Sequence, residues 1–179
     1  MVPETILYIA MSQDGFIAGE DGDLSFLEPM HLPGEDYGYS AFLQTVGSIV
    51  VGRKTYQTVL DMGVPYHPDL PVHILTRQPL GALDGEALNP RHSYRHGPLP
   101  DLIQHLKTQY NGNIYCDGGA ELAHSLLHAH LIDRIILSVV PSTLNAGVQL
   151  FPQGHIPVSF SCIRRHTFPS GLVQLELHQ

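Results

Sequence analysis

Ser48-Ile-Val-Val-Gly-Arg-Lys-Thr-Tyr56 is the stretch from which the fold is read. Ile49, Val50 and Val51 form a short β-branched run, the pattern of a strand buried on both faces. Gly52 then lets the backbone turn sharply or approach something closely. Arg53, Lys54 and Thr55 place two cations and a hydroxyl at what reads as a helix start, where free N–H groups gather. Two cations in a first turn oppose the helix dipole, so they fit best with an anion such as a phosphate or pyrophosphate. Asn113-Ile-Tyr-Cys-Asp-Gly-Gly-Ala-Glu-Leu122 repeats the logic: strand, Gly-Gly turn, helix start. The two turns are expected side by side, gripping one dinucleotide. On spacing alone an ordinary solvated helix start stays open at Gly52–Thr55, and a simple tight turn at Gly118–Gly119.

Composition bounds the partners. The 179 residues fit a single domain over 1–179, with 43% apolar and 15% charged residues, which is globular rather than disordered. The net charge of −8 argues against nucleic acid or an anionic membrane as main partner, while leaving room for one phosphorylated ligand at a local basic cluster. Cys116 and Cys162 make no disulfide framework and read as reduced core thiols, which suits a cytoplasmic protein. No leader pattern or membrane-length apolar run is seen.

In chain order, Thr5 to Met11 reads as a central strand, followed by a turn at Ser12–Gly15 and a brief apolar return at Phe16–Ala18. A long polar loop runs from Gly19 to about Glu35, a length often tied to function. Asp36 or Ser40 caps a helix expected to reach Thr45, with Tyr39, Phe42, Leu43 and Val46 on its apolar side. After the helix that opens at Arg53 and ends near Asp61–Gly63, Val72–Thr76 is the next strand. A weak strand is expected at Ala87–Asn89 or Ser93–Arg95. Leu99–Tyr110 reads as a helix, Ile114–Cys116 as a strand, Ala120–Leu131 as an amphipathic helix and Arg134–Val140 as a strand. Val158–Thr167 and Leu172–His178 flank Pro169-Ser-Gly171 as a closing hairpin. The alternation predicts an α/β fold with a mostly parallel sheet, helices on both faces and an antiparallel C-terminal hairpin.

Met11-Ser-Gln-Asp-Gly-Phe-Ile-Ala18, Asp36-Tyr-Gly-Tyr39, Val51-Gly-Arg-Lys-Thr-Tyr56, Cys116-Asp-Gly-Gly119 and Leu131-Ile-Asp-Arg134 occur in that order. Together they resemble the dihydrofolate-reductase-like superfamily, from about Ile6 to Leu177. The branch most similar is the reductase domain of the bifunctional riboflavin-biosynthesis deaminase/reductase and its stand-alone relatives. Only the reductase half of such an enzyme is expected here. The chain departs from the family at Pro141–Gly147, where a second glycine is usual near Asn145.

The resemblance implies NADPH as cofactor, a homodimer and a small-molecule substrate. It carries cofactor binding onto Gly52, Arg53, Lys54, Thr55, Gly118, Gly119, Ala120, Glu121 and Leu122, and onto Leu75, Thr76 and Arg77 after the Val72 strand. By analogy with another dinucleotide-binding fold, an arginine such as Arg77 suits a 2′-phosphate. The alternative there is a surface arginine beside an acid. Ala10, Met11, Ile17 and Ala18 would line the nicotinamide slot or be plain core.

Asp36 falls near the family's pocket carboxylate and would hold a pterin or pyrimidine ring edge, or merely cap its helix. Tyr37 and Tyr39 would contact the substrate ring or serve as core aromatics, and Asp14 reads as a turn residue. His124 and His128 have i, i+4 metal spacing but no third ligand, so no metal is expected. The expected reaction is hydride transfer to a pyrimidine- or pterin-like compound. A dihydrofolate reductase and a non-catalytic nucleotide-binding or dimeric assembly module are the alternatives. The lack of Trp and the Asp-Tyr-Gly-Tyr segment tilt toward the riboflavin type.

Overall fold

The computed structural model describes residues 2–78, 89–152, 154 and 156–179. The elements are β1 (Thr5–Ser12), β2 (Phe16–Ala18), α1 (Tyr39–Leu43), β3 (Val46–Gly52), α2 (Arg53–Asp61), β4 (Val72–Leu75) and β5 (His92–Arg95). They continue with α3 (Leu99–Gln109), β6 (Asn113–Cys116), α4 (Ala120–His128), β7 (Arg134–Val140), β8 (Val148–Gln149), β9 (Ser161–Thr167) and β10 (Val173–His178). The chain divides into two compact units. Unit one is Met1–Thr5 with Thr45–Leu131, and unit two is Ile6–Gln44 with Ile132–Gln179.

In unit one β3 lies between β4 and β6, and β5 pairs with the far side of β4, all in parallel. Ile49, Val50 and Val51 are buried on both faces of β3, as their unbroken apolar run predicts. Helices supply the cover: Tyr56 from α2, Ile103 and Leu106 from α3, and Leu122, Ala123 and Leu126 from α4 are buried. In unit two β1 runs parallel to β7, and β10 runs antiparallel to both β7 and β9. A two-stranded pair, β2 with β8, stands apart from these. Pairing is thus mostly parallel with antiparallel C-terminal strands, the α/β class expected.

Four elements are bounded differently from expectation. The helix expected to reach Thr45 stops at Leu43, and Val46 opens β3 instead. The Thr45 carbonyl accepts the Asn113 amide at 2.8 Å, which draws the chain into the sheet. Helix α4 stops at His128 rather than Leu131. His130 takes φ +53°, its amide donates to the Leu127 carbonyl, and the Leu131 amide reaches back to Leu126 at 2.9 Å, a Schellman closure. The hairpin strand begins at Ser161, not Val158. The weak strand is His92–Arg95; Ala87 of the other option lies outside the described residues. The loop from Gly19 holds two 3₁₀ turns, Glu20–Gly22 and Ser25–Met30, the second burying Phe26 against Val140 and Leu172.

Candidate functional site

The two glycine turns meet within unit one. The Gly52 amide donates to the Gly118 carbonyl at 3.1 Å, and the Gly119 amide donates to Thr55 Oγ1 at 3.0 Å. Gly52 is the N-cap of α2 and Gly119 that of α4, and neither helix has a side-chain cap. Ser, Thr, Asp or Asn ordinarily fills that position and accepts a first-turn N–H. Here two helix starts are held against each other with no side-chain acceptor for those donors, the Leu122 amide turning back to the Gly119 carbonyl at 3.1 Å. Helix α2 adds Arg53 and Lys54 in a first turn that holds no acidic residue.

The glycines are not equivalent. Gly118 has φ +79°, a conformation that favours glycine. A Cβ on Gly119 would stand 2.7 Å from Thr55 Oγ1, so a side chain there breaks the bond between the two turns. Gly52 has φ −73° and ψ 143°, which any residue adopts, and a Cβ would meet nothing nearer than the Gly118 carbonyl at 3.8 Å. The folded chain itself makes no demand for glycine at 52. Close approach by a bound group would.

The ends of β4 and β5 bring further cations to this unit. Arg53 Nη1 donates to Gln78 Oε1 at 2.5 Å, and its guanidinium lies 5.9 Å from the centroid of Tyr94. Arg77 pairs with Glu121 in the first turn of α4 at 2.9 Å, both side chains more than four-fifths exposed. The sequence alternative of a surface arginine beside an acid is therefore what is seen. Such an exposed pair is worth ~0–1 kcal/mol and is easily redirected. The Thr76 amide donates to the Arg95 carbonyl at 3.0 Å, and Thr76 Oγ1 accepts the Gln78 amide. Leu75, Thr76, Arg95, His96, Asp101 and His105 line an open cavity of about 290 Å³ there. Leu122 is 8% exposed and serves the core.

The remaining expected site residues lie in unit two. Asp36 caps its own turn: its carboxylate accepts the Gly38 amide at 2.9 Å and the Ser40 amide at 3.0 Å. Those bonds, led by the Ser40 hydroxyl, hold its carboxyl below the usual range. Tyr37 is committed to the fold. Its hydroxyl donates to the Met30 carbonyl at 2.9 Å, its amide to Glu35 Oε1 at 2.7 Å, and its ring meets Phe168 edge-on. These contacts hold it at φ +54°, where a non-glycine residue is uncommon. Tyr39 packs edge-on against Tyr8 at 5.4 Å. Both tyrosines are half-buried and packed against neighbouring rings.

Ala10 packs beside the Phe26 cluster, and Ala18 pairs with Val148. Met11 and Asp14 border an open cavity of about 380 Å³. Asp14 is a loop staple, accepting Ser12 Oγ at 2.6 Å and the Asn145 amide at 2.7 Å. Asn145 itself sits at φ +65°, the left-handed region that asparagine tolerates better than most, so the family's missing glycine costs the loop little. Sequence reasoning missed one polar cluster here. Gln174 Nε2 lies 3.1 Å from the Tyr8 hydroxyl, 3.1 Å from the Tyr37 carbonyl and 3.3 Å from Ser138 Oγ. A phenol inside the apolar run Thr5–Met11 was the available signal.

These features define a dihydrofolate-reductase-like α/β protein. The match to dihydrofolate reductase from Enterococcus faecalis, solved with NADP(H), has a TM-score of 0.69, 19% identity and coverage of 98% of this chain and 95% of that one. More specifically, the chain belongs to the RibD C-terminal domain family, which it matches over residues 83–174. It is 36% identical over 153 residues to YwjB of Bacillus subtilis (strain 168), a protein described as uncharacterized, covering 84% of each. A structure from Shewanella sp. PV-4, provisionally named a riboflavin biosynthesis protein, matches with a TM-score of 0.80, 28% identity and 98% coverage of both chains.

Proposed function

We propose that the protein is an NADPH-dependent reductase that delivers hydride to a pyrimidine- or pterin-like compound, of the 5-amino-6-(5-phosphoribosylamino)uracil reductase type. The observation that carries this reading is the pair of uncapped helix starts joined by the Gly52–Gly118 bond, with a glycine at 52 that the fold itself does not need. Membership of the RibD C-terminal domain family supports it.

The residues present fit a dinucleotide. Gly52, Thr55, Gly118, Gly119, Ala120 and Glu121 would hold its diphosphate through backbone donors and one hydroxyl. Arg53 and Lys54 would balance its charge, and Arg77 and Thr76 would read the 2′-phosphate. When bound, the nicotinamide supplies the hydride; the protein supplies orientation and electrostatics. By resemblance, Ala10, Ile17 and Ala18 face the nicotinamide. Asp36, ionised and with lone pairs left beyond its turn, accepts from a ring N–H of the substrate and favours its more electrophilic form. By the same resemblance the protein works as a homodimer.

Isothermal calorimetry with NADPH is the first test, with micromolar affinity expected. No heat at millimolar cofactor would end the proposal. Turnover of the ribosylaminopyrimidine and of dihydrofolate, measured side by side with NADPH oxidation, then assigns the acceptor. Binding without turnover of either favours a non-catalytic nucleotide-binding module.

A further inference from the structure

One half-buried acid in unit one has no place in the chemistry above. Asp117 immediately precedes the Gly118–Gly119 turn. Its two carboxylate oxygens accept the hydroxyls of Tyr66 and Tyr115, one each. Both tyrosines are almost wholly buried, at 4% and 3% exposure. No arginine or lysine pairs with Asp117 among the described residues. Burial pushes its carboxyl up, while the two phenols and nearby His67 pull it down.

A carboxylate without an arginine or lysine, next to a turn suited to a diphosphate, is an unfavourable choice on electrostatic grounds alone. Its bonds supply the reason for it. The Asp117 amide donates to the Val50 carbonyl at 3.1 Å, so both backbone and side chain of this residue are fixed. Tyr66 stacks edge-on against Tyr56 of α2 at 5.1 Å, and Tyr56 bonds His92 Nδ1 through its hydroxyl at 2.9 Å. The layer Asp117–Tyr66–Tyr56 therefore links the second glycine turn to the helix that leaves the first. It is a second tie beside the Gly52–Gly118 bond.

We propose that Asp117 is a positioning residue: through Tyr66 and Tyr115 it sets the Gly118 carbonyl and Gly119 amide against the start of α2, and so sets affinity for a diphosphate ligand. This rests on the diphosphate reading given above, and the test separates the two. Amide hydrogen exchange is followed by NMR in the ligand-free protein, beside calorimetry with NADPH and with inorganic pyrophosphate.

In Asp117→Asn the Gly52 and Gly119 amides exchange about tenfold faster, as expected when a hydrogen-bonded group that holds the turn loses its fit, with Ile49 and Val72 unchanged. NADPH affinity falls by a similar factor while kcat at saturating cofactor stays within twofold of wild type, as expected for about that loss of binding alone. Tyr115→Phe, which keeps the Tyr66 bond, shifts exchange and affinity the same way by less. It serves as the reporter if Asp117→Asn does not fold.

Exchange at Gly52 and Gly119 unchanged in every folded variant overturns the proposal, whatever the ligand does. Wild-type protein that binds neither probe overturns the cofactor reading and the affinity clause. Altered exchange would then still stand for the positioning of the turn.

Discussion

Asp36 combines a turn cap with a proposed role toward substrate, and Asp36→Asn separates them. Asparagine caps about as well as aspartate, so thermal stability should fall by only a few degrees. Loss of the charge should lower kcat by at least about tenfold if the carboxylate tunes the acceptor. An unchanged kcat reduces Asp36 to its cap. Arg77→Ala should likewise leave the melting temperature nearly unchanged, because an exposed pair contributes ~0–1 kcal/mol. It should weaken NADPH binding about tenfold yet spare NADH, since one charged contact to the 2′-phosphate is lost. Equal losses for the two cofactors would remove Arg77 from 2′-phosphate reading.

Histidines set the acid limit. Burial, then Arg95 and His105, pushes His73 down to about 4, and burial also lowers His67 and His92. Above pH ~6.5 these rings are neutral in both folded and unfolded chains. As pH falls from there toward 4, the unfolded chain takes protons that the folded one refuses, so stability drops. Raised Asp117 acts in the opposite sense, favouring the folded state on the acid side, while the lowered carboxyls of Asp14, Asp23 and Asp36 act in the same sense as the histidines. Melting curves at pH 7.5, 6.0 and 4.5 should show the fall, and His73→Asn, which keeps an acceptor for Arg95, should flatten part of it. Cations at a helix start were legible in the sequence because position alone gives them meaning. The commitments of Tyr37 and Asp117 were not, since Phe168 and Tyr66 reach them only through the fold.

The strand–glycine–helix units β3–α2 and β6–α4 make the sharpest contrast among glycines. Gly52→Ala should leave the melting temperature within about 2 °C of wild type, since the new methyl meets only ordinary contact and alanine is the less costly residue in the unfolded chain. NADPH affinity should nevertheless fall about tenfold or more, because the methyl occupies the approach of a bound group. Undiminished affinity would mean that nothing comes close to Gly52. Gly47→Ala should behave in reverse. Its Cβ would lie 2.3 Å from the Asn111 carbonyl, where backbone crosses backbone, and the protein should lose stability.

Both units were legible before the structure because a β-branched run, a glycine and a helix start are adjacent in the chain. The end of α1 depends on Asn113 bonding Thr45, sixty-eight residues away. Strand β8, two residues long, exists only by pairing with β2. No local pattern encodes either.

The C-terminal strands show what a single chain leaves open. Pro169-Ser-Gly171 marked the hairpin in the sequence, and β9 and β10 form it. What the pattern did not tell is that every residue of β9, Ser161–Thr167, is exposed. Strands with an open side invite association unless something blunts them. Here the register skips between Glu176–Arg164 and Leu177–Cys162, which leaves Ile163 as the bulged residue, 58% exposed. A bulge twists the edge and disfavours strand-to-strand addition, so a second copy should pack on the face that carries Ile163.

Light scattering at micromolar concentration should then give twice the 19.7 kDa chain mass, and Ile163→Glu should return it to 19.7 kDa. Cys162 reports the same event independently. It is exposed, whereas Cys116 is buried with its thiol pushed up to about 12 and stays silent toward thiol reagents. One of the two cysteines should react quickly, more slowly in the dimer than in Ile163→Glu, and faster as wild type is diluted. A mass of 19.7 kDa for wild type, with a Cys162 rate independent of concentration, would leave the exposed face of β9 uncovered and the active form a single chain.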